Sequence, residues 1–552
     1  MDIEYDGLKV ELQRGETLYD GIVKARLKGD LLSNMPLAAM IGGDVYSLDF
    51  KPNSDTSLKL IFYRDEEGMR VYERTLQFVL LMAMQRLYPN VRVFVNCTMN
   101  YGLHVTTDKE GGLLPTEVLL IKDECRRIIE QNIPIVKRRV NIDEAIAVFE
   151  AYGRYDKIEL IKSHAIESFD IHEAGGEYAD CLYGELAIST GCAFVFDLVW
   201  LNGGMMLMLP DRKYPDRPAK FIESPKIFAT FRKSDAWGKL MRCDSASELN
   251  FRVKDGSIHE LIRVNEALHE REFAKIADLI AQKKAKAVLL AGPSSSGKTT
   301  SANRIATQLR VLGLDPVMLS LDNYYIDRIM CPKDEYGNFD LEHIKALDVE
   351  RFNSDLCALM DGLNVEIPEF DFKTGTRREQ GRSMRLLPGQ PLIIEGIHGL
   401  NPLLIGGHAS ADRLFRVYVT ALTTLNLDDH NRVKTTDVRL FRRIVRDFET
   451  RNSSVEHTLS MWPSVREGEE RWIFKYQEEA DYVFNSTLHY EICVLKKYLY
   501  PLLCAVPEES KYSFRAKNML NFLDHFITAD VERDIPPTSI LREFIGGNTF
   551  YT

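Results

Sequence analysis

Residues 285–491 are predicted to form a doubly wound α/β domain built on a parallel sheet. The apolar run Ala287–Ala291 is typical of a strand that is buried on both faces. A glycine-rich segment, Gly292–Thr299, follows this strand directly. Beyond it, apolar residues recur at helical spacing and end at a glycine stop signal, at Ala302, Ile305, Ala306, Leu309 and Gly313. Strand, loop and helix in this order predict the first unit of such a domain.

The glycine-rich segment matches the phosphate-loop pattern G-x-x-x-x-G-K-[ST] in full. Its residues are Gly292, Pro293, Ser294, Ser295, Ser296, Gly297, Lys298 and Thr299, and Thr300 continues the motif. Backbone N–H groups of such a loop surround a β-phosphate, and the helix N-terminus adds a favourable dipole. Lys298 would reach the β- and γ-phosphates, and the Thr299 hydroxyl would ligate Mg²⁺. A chance Ser/Gly-rich turn is the alternative, but the flanking elements favour binding of ATP or GTP.

Two carboxylates follow other predicted strands of this domain. Asp322 ends the apolar segment Pro316–Leu321, and Glu395 ends Leu392–Ile394. Ligands bind at the carboxyl ends of parallel strands, so both side chains are expected near the phosphate loop. They can share the Mg²⁺ shell with Thr299, and one can accept a proton from an attacking hydroxyl. The structural alternative is that each carboxylate caps a turn.

A basic helix face lies further along the chain. Four arginines recur at i, i+3, i+4 and i+7, namely Arg439, Arg442, Arg443 and Arg446. Arg451 follows them on the same stretch of chain. Most basic helix faces are simply solvated. Here the face is also compatible with a lid that closes on triphosphate, spreads positive charge over the transferred group and excludes water.

Composition excludes several classes of function. The 552 residues are 45% hydrophobic and carry a net charge of −11, which argues against a general binder of nucleic acid or anionic membranes. Nine cysteines without a CxxC pair indicate reduced thiols. The acidic start Met1–Glu4 lacks a signal-peptide core, and no apolar run reaches membrane-spanning length. We therefore expect a cytoplasmic protein that has no contact with membranes.

Changes in pattern along the chain predict five parts. Short alternating segments around a helix at 18–25 indicate a small α+β unit, and a longer helix at 71–87 opens a second module. Residues 226–245 read as polar and irregular before an amphipathic helix at 261–284. The predicted parts are 1–66, 67–225, a linker with a connecting helix at 226–284, the nucleotide domain at 285–491 and a helical tail at 492–552 that packs on it.

The nucleotide domain resembles the uridine kinase and phosphoribulokinase branch of phosphate-loop kinases, and thus the P-loop NTPase fold. The matching motifs follow the family's order, as Gly292–Thr300, Leu321–Tyr325, Asn338–Asp340, Pro368–Phe372 and Ile394–Ile397. Departures cluster where the family reads the base. A histidine and a tyrosine of the family are Gly375 and Phe370 here, and a lid arginine and glutamine are Ser453 and Met461. The resemblance therefore implies retained chemistry with altered base recognition.

Roles for individual residues follow from this resemblance. It implies that Asp322 is the general base and that Lys298 and Arg446 also take part in catalysis. It further implies that Arg451 contacts ATP. Metal contacts are implied for Thr299, Asp322 and Glu395. Substrate contacts are implied for Tyr325, Phe339, Asp340, Phe370, Phe372 and Arg443.

The N-terminal half resembles the first two domains of threonyl-tRNA synthetase. The segments Gly15–Asp20 and Ile41–Val45 are similar to the small β-grasp TGS domain. An editing-like α+β domain is indicated at Leu87–Pro89, Tyr155–Ile161 and Gly176–Asp180. The synthetase's four metal-ligand positions carry Arg74, Phe78, Leu182 and Leu186 here. Guanidinium and apolar groups cannot replace imidazole and thiolate, so we expect neither tightly bound zinc nor hydrolysis of mischarged tRNA.

Three functions remain open from the sequence. The first is an ATP-dependent kinase of a ribonucleoside 5′-hydroxyl or a similar polyol. The second is a kinase of sugar phosphates, and the third is a regulatory ATP-binding protein whose N-terminal domains sense RNA or a small ligand. Asp322, Asp340 and Glu395 favour catalysis, and Phe370 and Phe372 favour a stacked base over a second phosphate. RNA contact by the N-terminal domains and a homo-oligomer both remain open.

Overall fold

The computed structural model of the chain describes residues 2–5, 8–163, 168–333, 337, 339–371, 374–405 and 413–550. Within these ranges, no helix combines the length and the apolar character needed to cross a bilayer.

The N-terminal unit is a five-stranded sheet that packs on one helix. Its order is β2-β1-β5-β3-β4, and β1 and β5 pair in parallel while the other pairs are antiparallel. The elements are β1 (Asp2–Tyr5), β2 (Leu8–Glu11), α1 (Leu18–Lys24), β3 (Pro36–Ile41), β4 (Asp44–Tyr46) and β5 (Thr56–Phe62). A capping box between Thr17 and Asp20 starts the helix, and Leu18 and Ile22 bury its inner face. This arrangement confirms the predicted β-grasp unit.

The second module places one long helix among two antiparallel sheets, β10-β9-β8 and β11-β12-β7-β6. Its helices are α2 (Glu66–Leu87), α3 (Pro115–Gln131), α4 (Ile142–Ala151) and α5 (Tyr155–Ser163). Its strands are β6 (Val93–Met99), β7 (Gly102–Thr107), β8 (Ile135–Asn141), β9 (Ser168–Ala174), β10 (Tyr178–Asp180), β11 (Asp197–Leu201) and β12 (Gly204–Met208). Helix α2 begins five residues earlier than predicted because its first turn is charged, and Glu66 and Glu67 favour a helix N-terminus.

Three helices follow, namely α6 (Pro225–Leu240), α7 (Ala246–Asp255) and α8 (Ile258–Lys283). The expectation of irregular chain at 226–245 is wrong for most of that range. Proline occupies the first turn of α6, and the Glu478 carboxylate accepts hydrogen bonds from the backbone N–H groups of Lys226 and Ile227. Only Ile227, Phe231 and Gly238 are buried, so the apolar period is too sparse to be read from the sequence.

The nucleotide domain has a five-stranded sheet of order β14-β19-β13-β20-β21 in which every pair is parallel. Its helices are α9 (Lys298–Val311), α10 (Val349–Met360), α11 (Pro402–Ile405), α12 (Thr435–Arg451) and α13 (Val455–Trp472). Its strands are β13 (Ala287–Ala291), β14 (Val317–Ser320), β15 (Val365–Ile367), β16 (Phe370–Asp371), β17 (Thr376–Arg377), β18 (Arg382–Met384), β19 (Leu392–Glu395), β20 (Leu414–Thr420) and β21 (Tyr482–Asn485).

Alternate side chains of the central strand β13 enter different cores. Val288 and Leu290 pack with α8, α9 and α12, whereas Ala287 and Leu289 pack with α10. This alternation confirms the predicted doubly wound α/β fold. The chain ends in α14 (Glu491–Cys504), α15 (Ser513–Leu523) and α16 (Arg542–Ile545), which join the same core as α8 and α9.

A loop of the nucleotide domain, residues 426–432, is inserted against the second module. The Asp429 carbonyl accepts a hydrogen bond from Val95 N at 2.8 Å, and the His430 carbonyl accepts one from Gln77 Nε2 at 2.7 Å. His430 Nδ1 lies 2.5 Å from the Asp180 carboxylate. The two modules are therefore joined by specific polar contacts.

Lys157 on α5 is the cation at the centre of this junction. Its ammonium lies 3.3 Å from Asp180 Oδ1 and 3.0 Å from Asp428 Oδ1, and all three side chains are buried. Burial disfavours the charged ammonium, but Asp180 and Asp428 outweigh this effect and hold the pKa of Lys157 above its usual value. One cation thus pairs with a carboxylate from each module.

Replacing Lys157 by methionine is expected to destabilise the protein by about 3–5 kcal/mol, because two buried carboxylates lose an ion-pair partner. The matched control is Lys162→Met on the same helix, where the side chain is exposed and the expected change is within about 0.5 kcal/mol. Guanidinium denaturation of the full chain measures both. Equal midpoints for the two variants would contradict a charged, stabilising junction.

Candidate active site

The phosphate loop connects β13 to α9 in a conformation that few residues other than glycine adopt. Gly297, which precedes the helix, has φ +84°, and a Cβ on Gly292 would lie 2.1 Å from the Val419 carbonyl oxygen. Lys298 Nζ donates to the Pro293 carbonyl at 3.0 Å, so the lysine folds back over the loop. The motif residues therefore occupy the strand–loop–helix context that phosphate binding needs.

Two arginines of α12 hold this loop from beneath. Arg439 Nε donates to the Ser294 carbonyl at 2.9 Å, and Arg442 Nη1 donates to the Ser295 carbonyl at 3.4 Å. Both side chains are fully buried, and Arg442 Nε donates to Glu491 at 2.6 Å. The predicted lid role is therefore wrong for Arg439 and Arg442. Helix α12 turns this face toward the core because the guanidinium groups find carboxylate and carbonyl partners there.

Glu469 on α13 is a loop contact that the sequence did not reveal. Its Oε1 accepts a hydrogen bond from Ser294 N at 3.0 Å and pairs with Arg439, and Arg466 Nη1 donates to its Oε2 at 2.7 Å. Nothing in the local sequence separates Glu469 from the acidic residues beside it. Its position becomes meaningful only when α12 and α13 are packed together.

The remaining arginines of α12 lie around one carboxylate, Asp447. Arg443 Nε and Arg446 Nη2 lie 3.2 and 2.9 Å from it, and Arg451 Nη1 lies at 3.5 Å with a half-exposed side chain. Arg446 is the main cause that lowers the pKa of Arg451, to about 10. Arg443 Nη1 also donates to Ser294 Oγ at 2.8 Å. Arg443 therefore contacts the phosphate loop directly, whereas Arg446 and Arg451 lie within electrostatic reach of Asp322.

The predicted metal residues lie together at the carboxyl edge of the sheet. Thr299 Oγ1 lies 3.5 Å from Glu395 Oε2, and Ser320 Oγ donates to Glu395 Oε1 at 2.7 Å. Desolvation, followed by the Asp322 charge, raises the pKa of Glu395 to about 7. Asp322 is open to the cleft. Desolvation nevertheless raises its pKa, and Lys298 is the strongest of the cations that oppose this effect.

One predicted acceptor residue, Tyr325, lies within electrostatic reach of Asp322, Glu342 and Asp340. The Tyr325 ring lies 5.6 Å from the Phe370 ring, and its hydroxyl donates to the Leu341 carbonyl at 3.1 Å. Asp340 is buried, and the cation facing it is Arg471 at 3.6 Å. Arg443, the arginine among the predicted substrate residues, is instead engaged by Ser294 and Asp447. The half-buried Phe339 lies beneath Lys333, whose Nζ is 5.6 Å from the ring centroid, and Phe372 lies outside the described residues.

Glu342, two residues after Asp340, is a further carboxylate of the cleft that the motifs did not indicate. Its Oε2 is buried without a hydrogen-bond partner. Desolvation, then the charge of Glu469, raises its pKa to about 7, and Arg443 and Lys298 oppose the shift. Gly468 permits the close approach of α13, because a Cβ there would lie 2.3 Å from Glu342 Cβ. An unpartnered acceptor oxygen in a cleft is a candidate contact for a substrate.

A cavity of about 300 Å³ opens between α9 and the sheet edge. It is lined by Thr299, Asn303, Ser320, Arg382, Glu395 and Phe550, among others. Thr300, on the first turn of α9, is engaged by Glu543, which like Phe550 belongs to the C-terminal segment. The C-terminal segment is therefore part of the candidate active site, which the sequence did not indicate.

The four positions that the resemblance assigns to metal ligands carry no metal-binding side chains in this protein. Phe78, Leu182 and Leu186 are buried in one hydrophobic core, and Arg74 Nε donates to the Glu185 carbonyl at 2.9 Å. The four positions that the resemblance assigns to metal ligands thus hold three packing side chains and one arginine.

Residues 288–492 match the model of the phosphoribulokinase/uridine kinase family. These residues carry a domain of that family. The N-terminal region is similar to threonine–tRNA ligases. That of Clostridium kluyveri is 28% identical over 198 residues, which cover 36% of this chain and 31% of the relative. That of Bacillus velezensis is 28% identical over 250 residues, covering 45% and 37%. The chain thus spans about a third of the length of these relatives.

Among solved structures, one that is similar to this chain is described as a possible uridine kinase from Bacillus stearothermophilus. The identity is 20% and the TM-score 0.25, and the match covers 39% of this chain and all of the other.

Glu342→Gln is expected to stabilise the protein above neutral pH. The raised pKa means that ionising Glu342 costs more in the folded than in the unfolded state. Wild-type stability relative to the variant is therefore lost as pH rises from about 4.5 to about 7, by up to about 3 kcal/mol. Thermal unfolding at pH 5 and pH 8 measures this, with Glu449→Gln on an exposed position as control. A pH-independent difference between Glu342→Gln and wild type would contradict the raised pKa.

Proposed function

We propose that this chain is an ATP-dependent kinase that transfers phosphate to the 5′-hydroxyl of a ribonucleoside or a similar neutral polyol. The observation that carries the proposal is the placement of Asp322 at the carboxyl edge of the sheet, within electrostatic reach of Lys298 on the phosphate loop. A carboxylate at this position can accept a hydroxyl proton while the lysine holds the phosphate that is attacked.

The phosphate loop has features suited to binding a nucleoside triphosphate. The hydroxyl oxygens of Ser295 and Ser296 are buried without partners, and glycine is required at 292 and 297 where the backbone must approach closely. The oxygen donors of Thr299, Glu395 and Asp322 are those that Mg²⁺ prefers. When bound, Mg²⁺ would neutralise charge on the phosphates. Arg446 and Arg451 supply further positive charge on the same side.

The acceptor side favours a neutral polyol over a sugar phosphate. Its buried or half-buried carboxylates, Asp340 and Glu342, can accept hydrogen bonds from hydroxyl groups. The half-buried Phe370 ring, which lies beside the buried Tyr325 ring, is the aromatic group that a base would contact. Arg471 pairs with Asp340, so its charge is partly neutralised. A second phosphate would face two carboxylates, Asp340 and Glu342, and one arginine that is already paired. Repulsion by the carboxylates would disfavour its binding.

Asp322→Asn is expected to leave ATP affinity nearly unchanged and to lower kcat by about 10²–10⁴-fold, because an amide cannot accept the hydroxyl proton. Lys298→Ala should weaken both ATP binding and turnover, since it removes the phosphate contact. Calorimetric titration with ATP and steady-state kinetics separate the two effects. Near-normal kcat in Asp322→Asn would remove Asp322 from the base role.

The acceptor is tested by incubating the protein with ATP and a panel of uridine, cytidine, adenosine, inosine, 2′-deoxyuridine and ribulose 5-phosphate, with products read by mass. We expect ribonucleosides to be phosphorylated with broad base preference. Uridine should be preferred to 2′-deoxyuridine by tenfold or more, because an unpaired buried carboxylate costs about 1–3 kcal/mol. Phosphorylation of ribulose 5-phosphate alone would replace this proposal with a sugar-phosphate kinase.

A matched pair of variants tests the residue that reads the ribose. Asp340→Asn should reduce the preference for uridine over 2′-deoxyuridine, because its charge-assisted hydrogen bonds to the hydroxyls are weakened. Asp361→Asn, at an exposed position beyond α10, should leave that preference unchanged. An unchanged preference in Asp340→Asn would assign the ribose contact to another residue.

A further inference from the structure

The last described residues of the chain, 539–550, form a segment that we call the C-terminal strap. The strap lies directly on the phosphate loop. A Cβ on Gly297 would be 2.6 Å from Ile540 Cγ2, and the Arg442 guanidinium lies 5.1 Å from the Phe544 ring centroid. Phe550 lines the cavity beside Thr299. The strap therefore contacts the loop, the helix that follows it and the cleft.

One carboxylate of the strap is bound at the start of α9. Glu543 Oε2 accepts hydrogen bonds from Thr300 N at 3.3 Å and from Thr300 Oγ1 at 2.7 Å. Asn548 Nδ2 lies 3.4 Å from the same hydroxyl. The Glu543 carboxylate is also within electrostatic reach of Lys298 and Glu395. An anion of the chain itself thus occupies hydrogen-bond donors of the phosphate-loop helix.

The same donors suit phosphate. The first N–H groups of a helix lack partners within the helix and attract anions, and the effect is strongest in its first turn. The hydroxyl oxygens of Ser295 and Ser296, both buried in the loop, have no partner. Part of the loop's hydrogen-bonding capacity is therefore unused, while the position at Thr300 is filled by a carboxylate.

We propose that Glu543 is an intramolecular competitor of nucleotide phosphate at Thr300, so that nucleotide binding displaces Glu543 and the strap residues beyond it. The inference rests on the proposed function in one respect, namely that a nucleotide binds at this loop. A phosphate group and the Glu543 carboxylate cannot accept from Thr300 N at once, and their charges repel each other. Nucleotide affinity is therefore lower than the loop alone would give.

The strap is built so that this displacement can be local. Ser539 Oγ donates to Glu266 at 2.5 Å, and Arg542 Nη2 donates to the Ile535 carbonyl at 3.0 Å, which fixes the start of the segment. Helix α16 has only four residues, and glycines at 546 and 547 follow it with positive φ. Rotation of the Glu543 side chain, or movement of the residues beyond it, can free Thr300 without disturbing the anchored start.

The test compares the affinity of the full chain for ADP with Mg²⁺ in wild type and Glu543→Gln, by calorimetric titration. The variant keeps the shape of the side chain but removes its charge. We expect it to bind ADP about tenfold more tightly, since a charge-assisted hydrogen bond is replaced by a weaker neutral one. Glu508→Gln makes the same charge change at an exposed position near the C-terminus and should match wild type.

The outcomes separate this inference from the proposed function. Equal affinity in wild type and Glu543→Gln, or weaker binding in the variant, would overturn the competition, because Glu543 would then be neutral or supportive. Failure of wild type and both variants to bind ADP would instead refute nucleotide binding at the loop, and the competition with it.

Hydrogen exchange on the wild-type protein tests the displacement without any substitution. Adding ADP with Mg²⁺ should raise exchange at residues 543–550 while it lowers exchange at the phosphate loop. Protection of both segments would mean that the strap closes over the nucleotide, which contradicts displacement. This measurement decides the question even if Glu543→Gln does not fold.

Discussion

Two buried guanidinium groups set the shape on which the rest of the cleft depends. Arg439 and Arg442 bind the carbonyl oxygens of Ser294 and Ser295. In a planar trans peptide the N–H points away from the C=O, so fixing these carbonyls also fixes the direction of the N–H groups that follow them. Buried arginines are tolerated only with partners, which Glu469 and Glu491 supply. The loop is therefore oriented by the core of the domain.

Local sequence was sufficient to predict the parts of the site that one segment builds. The phosphate loop, Asp322 and Glu395 follow from strand ends and glycine spacing, and the structure brings them together. Contacts that require packing of distant segments could not be predicted. Arg439 reads as a solvated cation until its partner Glu469, 30 residues later in the chain, is placed beside it. The role of Glu543 depends in the same way on where the chain's end returns.

The second module of the N-terminal half contributes to the nucleotide site through packing and hydrogen bonds. Phe78, Leu182 and Leu186 now contribute to a hydrophobic core, at positions where the resemblance places metal ligands. The neighbouring residue on α2, Gln77, donates a hydrogen bond to the backbone of the loop at residues 426–432. That loop leads directly into α12, whose arginines orient the phosphate loop. The second module thus supports the element that shapes the nucleotide site.

The junction at Lys157 also determines what counts as a unit of this protein. Its ammonium pairs with one carboxylate from the second module and one from the nucleotide domain, so Asp428 has this ion-pair partner only in the joined chain. A fragment that began after the second module would keep Asp428 but lose its cation, and Asp429 would lose Arg92 as well. Like charges would then gather on a newly exposed loop. Dissecting the chain at domain boundaries would therefore change the electrostatics of the part retained.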